Sequence, residues 1–324
     1  MPLISFMAVI AKSCFSESHV GPGFVSTFGE ALTMLRKLFQ TSNSESQPFV
    51  LSGSGTLGWD LVASNLVEPG ENVLVLGTGY FSDGFADCLK IYGAEVTELK
   101  APVGSRPQLP EIEKALSERK FKMLTVTHVD TSTGVLSELK DLSAMVQKVS
   151  PDTLLIVDGV CSVACEEIAF DEWKLDGVVT ASQKAIGAPA GLSISMFSGR
   201  AIKAFQDRKA SPTSYFASMK NWMPSMSILI CYSARILYLH DGSHAKLRVQ
   251  EALIFRNAVS PIGTLLAHSS DSNPFQVAFG AFCPAQRGVG QDQESSYRSW
   301  LKAGGSEARR PSSRHDCHVS PRFR

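Results

Sequence analysis

The chain has 324 residues, 44% hydrophobic and 19% charged, with 31 basic and 31 acidic side chains. That composition describes an ordinary globular protein of one large domain, or one large and one small. A formal net charge of zero gives no electrostatic case for nucleic acid or an anionic membrane as a partner.

No apolar run approaches the roughly 20 residues of a membrane span. The seven scattered cysteines suit a reducing compartment better than a disulfide scaffold. Cys161 and Cys165 lack a second Cys/His pair at zinc spacing, so no metal site is expected. The N-terminus lacks the basic-then-apolar order of a secretory signal. The last residues, Pro321-Arg322-Phe323-Arg324, are not a peroxisomal tripeptide.

In chain order, residues 27–39 repeat apolar positions at helical spacing. Residues 49–51 read as a short strand that runs into Ser52-Gly53-Ser54-Gly55-Thr56, and 57–66 as a helix closed by Pro69-Gly70. Residues 72–76 form an apolar strand, followed by Gly77-Thr78-Gly79-Tyr80-Phe81 and a helix to about Tyr92. Strands follow at 95–99, 122–127, 154–157, 177–181 and 192–197, with helices at 110–119 and 139–149. Such alternation predicts an α/β fold with a mainly parallel sheet flanked by helices. In these sheets ligands sit beyond the carboxyl ends of the strands.

Polar clusters fall at those ends. Ser52-Gly53-Ser54-Gly55-Thr56 offers backbone N–H groups, hydroxyls and a helix start, which together make a phosphate cradle. A tight turn with an N-cap would look the same, and the lysine of a P-loop is missing. Gly77-Thr78-Gly79 lacks the third glycine of a dinucleotide fingerprint. Phe81 beside it is either a stacking surface for a planar ring or a core residue.

Thr127-His128-Val129-Asp130-Thr131-Ser132-Thr133-Gly134 supplies hydroxyls, and His128 within it reads as a satisfied core histidine before it reads as a catalyst. Asp158 closes an apolar strand, where a carboxylate is costly unless paired with a cation or several donors. Lys184 is the one cation in residues 179–191, at a strand-to-loop junction. It is a surface lysine, or one whose apolar surroundings favour the neutral, nucleophilic amine. Cradle, aromatic, aspartate, hydroxyl loop and lysine together meet the needs of pyridoxal 5′-phosphate.

Residues 18–224 resemble the class V (fold-type I) aminotransferases, and among them the alanine–glyoxylate aminotransferases of fungi. The likeness is carried by Ser52-Gly53-Ser54-Gly55-Thr56, Gly79-Tyr80-Phe81, residues 127–134, Val157-Asp158-Gly159-Val160 and Ala181-Ser182-Gln183-Lys184-Ala185. The resemblance implies Lys184 as the lysine that bonds the cofactor's aldehyde and carries the proton, and Asp158 as partner of the ring nitrogen. It implies Phe81 as the stacking aromatic and Ser54, Gly55, Thr56 and Gln183 as phosphate ligands. Thr131 matches a hydroxyl position near the ring, with Ser132 a weaker candidate. The implied reaction moves an amino group from L-alanine to glyoxylate, giving pyruvate and glycine, in a homodimer. The family's compartments are the peroxisome, the cytosol and the mitochondrion. Serine–pyruvate transamination, desulfuration and cofactor binding without turnover are the alternatives.

The likeness has limits. Residues 1–17 replace the family's Pro-Gly-Pro opening. Residues 225–324 replace its small domain, including the segment that reaches the partner's phosphate and the arginine that grips the substrate carboxylate. That stretch holds 12 basic and 7 acidic residues and 5 of the 7 histidines. Residues 226–239 are apolar enough for a helix or strand. From Ser269 onward the Ser/Gly/Pro/Arg-rich sequence suggests disorder. Reading into an intron or another frame would produce such a tail, as would divergence.

Overall fold

The computed structural model describes residue 18 and residues 21–223. Residues 1–17, the 226–239 stretch and the tail beyond Ser269 lie outside the described residues, as does any small domain. Helix α1 (Pro22–Leu38) starts at Pro22 rather than at residue 27. A proline breaks the apolar spacing but suits a first turn, where its missing N–H has no carbonyl to meet. Phe24, Phe28, Ala31, Leu32 and Leu35 form its buried stripe, and Arg36 and Lys37 complement its C-terminal dipole.

Alternation follows as expected: β1 (Gln47–Ser52), α2 (Leu57–Leu66), β2 (Asn72–Gly77), α3 (Tyr80–Ile91), β3 (Glu95–Lys100), α4 (Leu109–Glu118) and β4 (Met123–Thr127). Next come β5 (Val129–Asp130) and β6 (Val135–Leu136), then α5 (Leu139–Val149), β7 (Leu154–Asp158), β8 (Gly177–Ala181), β9 (Leu192–Phe197) and α6 (Gly199–Gln206). The β5–β6 hairpin and α6 were not expected. Two residues per strand are too few to display alternation, and the turn between them carries Gly134 at φ 71°.

Seven strands make one sheet in the order β1-β9-β8-β7-β4-β2-β3. β3, β2, β4, β7 and β8 pair in parallel, whereas β9 runs antiparallel to both β8 and β1. The sheet is therefore mixed but mainly parallel, with one reversed strand. Every residue of β4, β7, β8 and β9 is buried, as a sheet covered on both faces requires. Edge strand β3 is half-exposed, and its Glu98 pairs with Lys90 (2.6 Å) and Lys100 (2.9 Å). Charges of that kind deter edge-to-edge pairing. No helix among the described residues is long and apolar enough to cross a membrane.

Candidate active site

β1, β4, β7 and β8 all end at one edge of the sheet, where β9 begins. Backbone bonds continue the ladder past the strand ends: Gly53 N–H to Gly191 O (2.9 Å), Ser182 N–H to Leu192 O (3.1 Å), Gly159 N–H to Val179 O (2.8 Å) and His128 N–H to Asp158 O (2.9 Å). The loops that carry the polar clusters thus leave from a tied platform, which limits their freedom.

The turn 53–56 sits over β7 and β8. A Cβ on Gly55 would stand 2.8 Å from Val160 Cγ2 and 3.3 Å from Ala181 Cβ, so only glycine lets the turn close so far. Ser54 Oγ and Thr56 Oγ1 are 2.5 Å apart and both residues are exposed. The N–H groups of Gly55 and Thr56 donate to no carbonyl among the described residues. These amides and the two hydroxyls at the start of α2 are donors of the kind an anion requires.

Asp158 is the last residue of β7 and is 3% exposed. Its Oδ1 accepts from the Val160 N–H at 3.0 Å and its Oδ2 from Trp59 Nε1–H at 2.9 Å. Both donors are neutral, and no Lys, Arg or His among the described residues forms an ion pair with it. Burial pushes the carboxyl up to about 6, against the pull of the two donors and with a further push from the charge of Asp130. A buried acid with donors but no cation leaves room for a cationic partner. The protonated ring nitrogen of pyridoxal phosphate is such a partner, so this chain's donor set fits that cofactor.

Asp130 is fully buried and organises the hydroxyl loop. It accepts from Ser132 Oγ (2.6 Å), Ser132 N–H (3.1 Å) and Thr78 Oγ1 (3.3 Å). Ser132 Oγ in turn accepts from Tyr80 N–H at 2.9 Å, which locks the 131–134 turn to the start of α3. A Cβ on Gly79 would meet Asp130 at 2.9 Å, so the two loops touch backbone to side chain. Phe81 lies in that first turn, half-buried, edge-on to Tyr80 with ring centroids 5.4 Å apart. Thr131 is exposed and accepts from Cys161 Sγ at 3.9 Å, which links the loops after β4 and β7.

Beyond β8, Ser182 is buried and clamps the loop to Gly191. Its hydroxyl donates to Pro189 O (2.6 Å) and its carbonyl accepts from Ala188 N–H (3.0 Å). Gln183 and Lys184 are exposed. Of the two readings of Lys184, the described residues match the surface one: the apolar strand ends at Ala181 and the lysine beyond it is exposed. His128 differs from expectation. It is buried, and burial lowers its pKa to about 4, yet its Nδ1 has no partner among the described residues. It is a core histidine but not a satisfied one.

Six of the eight candidate residues thus stand on loops at one sheet edge, while Asp158 closes β7 and Phe81 lies in the first turn of α3; close approaches of Gly55 to Val160 and Ala181 and hydrogen bonds of Ser132 and Cys161 link these segments. Trp59 and Asp130 were missed. Trp59 carried one signal, since a buried tryptophan N–H generally finds an acceptor.

An α/β sheet with its polar loops gathered at this edge has the architecture of a protein that binds its ligand beyond the carboxyl ends of the strands. The description "Aminotransferase class-V" matches residues 11–220, and the chain belongs to that family. The chain is 50% identical over 218 residues to alanine–glyoxylate aminotransferase 1 of Saccharomyces cerevisiae, covering 65% of this chain and 57% of that one. An alanine–glyoxylate aminotransferase of Drosophila melanogaster is 31% identical over 266 residues, covering 80% and 64%. The crystal structure of such an enzyme from Nostoc sp. superposes with a TM-score of 0.70 at 27% identity, covering 85% of this chain and 67% of that one. The chain spans about three-fifths of the length of the two curated relatives.

Proposed function

We propose that residues 18–224 bind pyridoxal 5′-phosphate and that the complete enzyme, a homodimer, moves an amino group from L-alanine to glyoxylate, yielding pyruvate and glycine. The observation that carries this reading is Asp158: a buried strand-end carboxyl with neutral donors on both oxygens and no cation among the described residues. The yeast relative, half identical over the matching region, supports the choice of substrates. When bound, the cofactor supplies an electron-withdrawing aromatic aldehyde that carries amino groups between substrates.

The chain's own residues have separable tasks. Asp158 would keep the ring nitrogen protonated, and Phe81 would cover a ring face. Ser54, Gly55, Thr56 and Gln183 would hold the phosphate through amides, hydroxyls and an amide side chain. Thr131 would donate a hydrogen bond near the ring. Lys184 would bond the aldehyde and then carry a proton at the substrate's α-carbon. Exposed in the single chain, Lys184 would lose solvent only once cofactor and partner subunit cover it.

The test is reconstitution. The wild-type chain should retain cofactor through gel filtration and form pyruvate from alanine and glyoxylate, whereas Lys184→Ala should do neither. Cofactor retained without pyruvate would mark a cofactor-binding chain that does not turn over. No retention by the wild type would end the reading.

A further inference from the structure

We propose that Trp59 is a positioning residue for Asp158: its indole N–H pins Oδ2, so the carboxyl is held in one orientation for the ring nitrogen. The inference rests on the function proposed above and adds a residue to its site. The two groups are 99 residues apart in sequence and 2.9 Å apart in space, both buried. Trp59 stands in the first turn of α2, directly after the 53–56 turn. Helix placement therefore couples the phosphate end of the site to the acid at the other end.

The indole is itself held. It stacks on Phe85 with centroids 5.5 Å apart and 10° between planes. Gly84 approaches its ring so closely that a Cβ there would stand 3.1 Å from Cζ3 and 3.3 Å from Cη2. A ring fixed on its flank cannot swing its N–H away from Oδ2. The second carboxyl oxygen is fixed by the Val160 N–H at 3.0 Å, so both rotational choices of the carboxyl are closed.

Chemistry explains why the donor is an indole. Any apolar side chain could fill the gap between α2 and the sheet, but it would leave Oδ2 without a donor. A lysine or arginine would supply a donor and also a charge, neutralising the acid and displacing the cation it is kept for. A tryptophan orients the carboxyl and leaves its charge unspent. It is also rigid, with two side-chain torsions to fix.

The experiment uses the full 324-residue chain. In cofactor-free protein, the Asp158 carboxyl is followed by carbon-13 NMR or isotope-edited infrared spectroscopy across pH. The groups facing it are Trp59 on α2, the Val160 N–H, Asp130 on β5 and His128, whose N–H bonds the Asp158 carbonyl. The wild-type midpoint should lie near 6, and Trp59→Phe should move it upward, because a donor to the anion is lost. Binding of pyridoxamine 5′-phosphate, which cannot bond Lys184, should weaken about tenfold in the same variant.

Should Trp59→Phe fail to fold, benzothienylalanine at position 59 keeps the shape and replaces N–H by sulfur. An unmoved midpoint together with affinity within twofold of wild type would overturn the inference. Asp158→Asn separates the levels. If it loses the cofactor and Trp59→Phe does not, the inference falls and the function stands. If Asp158→Asn binds as well as wild type, the proposed function falls, and the midpoint in cofactor-free protein still decides the Trp59 bond.

Discussion

Asp158 and Asp176 stand at opposite ends of neighbouring parallel strands, both almost wholly buried, in opposite electrostatic company. Asp176, just before β8, accepts from Arg200 Nε at 2.8 Å and forms an ion pair through Arg200 Nη2. It also accepts from Ser198 Oγ (2.9 Å) and from the Leu155 N–H (2.8 Å). Asp158, at the end of β7, has an indole and one amide. Two acids of one sheet thus divide the work. The acid at the amino edge is complete and ties β7, β8 and α6 together. The acid at the carboxyl edge is oriented but unneutralised. A buried carboxylate with its cation inside the chain is architecture, and one without is a place for something else.

The largest expected effect tests the closed end. Arg200→Ala strips Asp176 of its only ionic partner among the described residues and should lower stability by about 2–4 kcal/mol in urea unfolding, less than for a fully buried pair because the guanidinium is partly exposed. A loss below 1 kcal/mol would remove the distinction between the two acids. At the open end, Asp158→Asn should leave the fold intact and lower transamination on the order of a hundred- to a thousandfold, read as kcat with alanine and glyoxylate. If both variants chiefly destabilise, Asp158 is architecture as well.

Only the open end of this contrast was legible in the sequence. Asp158 and Lys184 stand out because each interrupts an apolar or small-residue run at a strand end, and the glycine–hydroxyl turn stands out by spacing. The strand alternation was equally plain, because doubly covered strands must be continuously apolar. What stayed hidden depends on contacts across long separations. Trp59 looks like any core aromatic on α2 until the sheet brings Asp158 beneath its N–H. Asp130 looks like a turn residue until Ser132 and Thr78 close on it. For Lys184 the sequence left a surface and an apolar setting both open, because the contacts of Ser182 that shape the loop, hydroxyl to Pro189 O and carbonyl to the Ala188 N–H, are not displayed by spacing.

The same edge makes a prediction about pH. Burial raises Asp158 to about 6, so between about 4 and 6 the folded chain holds a proton that the unfolded chain has lost. Its contribution to stability is therefore greatest below that window and falls as pH rises through it. His128, lowered to about 4, acts in reverse: as pH falls from 6.5 the unfolded chain takes up a proton that the folded chain refuses. Each effect is on the order of 3 kcal/mol, and in the wild type they largely cancel. Asp158→Asn should then lose stability on acidification from pH 6 to 4 relative to wild type, and His128→Gln should gain it. Parallel pH–stability curves for all three proteins would contradict both assignments.

Gly79→Ala carries the smallest expected effect and sharpens the contrast from the side of the loops. The added methyl would sit 2.9 Å from Asp130 and press on Ser132. Backbone and a short, doubly bonded side chain cannot yield as a long side chain could, so stability should fall by about 1–3 kcal/mol. Gly104→Ala is the control, because its neighbourhood is open within 4 Å although its φ of 83° is strained for alanine. If the two glycines respond alike, the crowding by Asp130 and Ser132 is not what sets the cost at Gly79. If Gly79→Ala alone also weakens pyridoxamine 5′-phosphate binding, the contact between the α3 start and the 131–134 turn is part of what keeps the carboxyl edge shaped for its ligand.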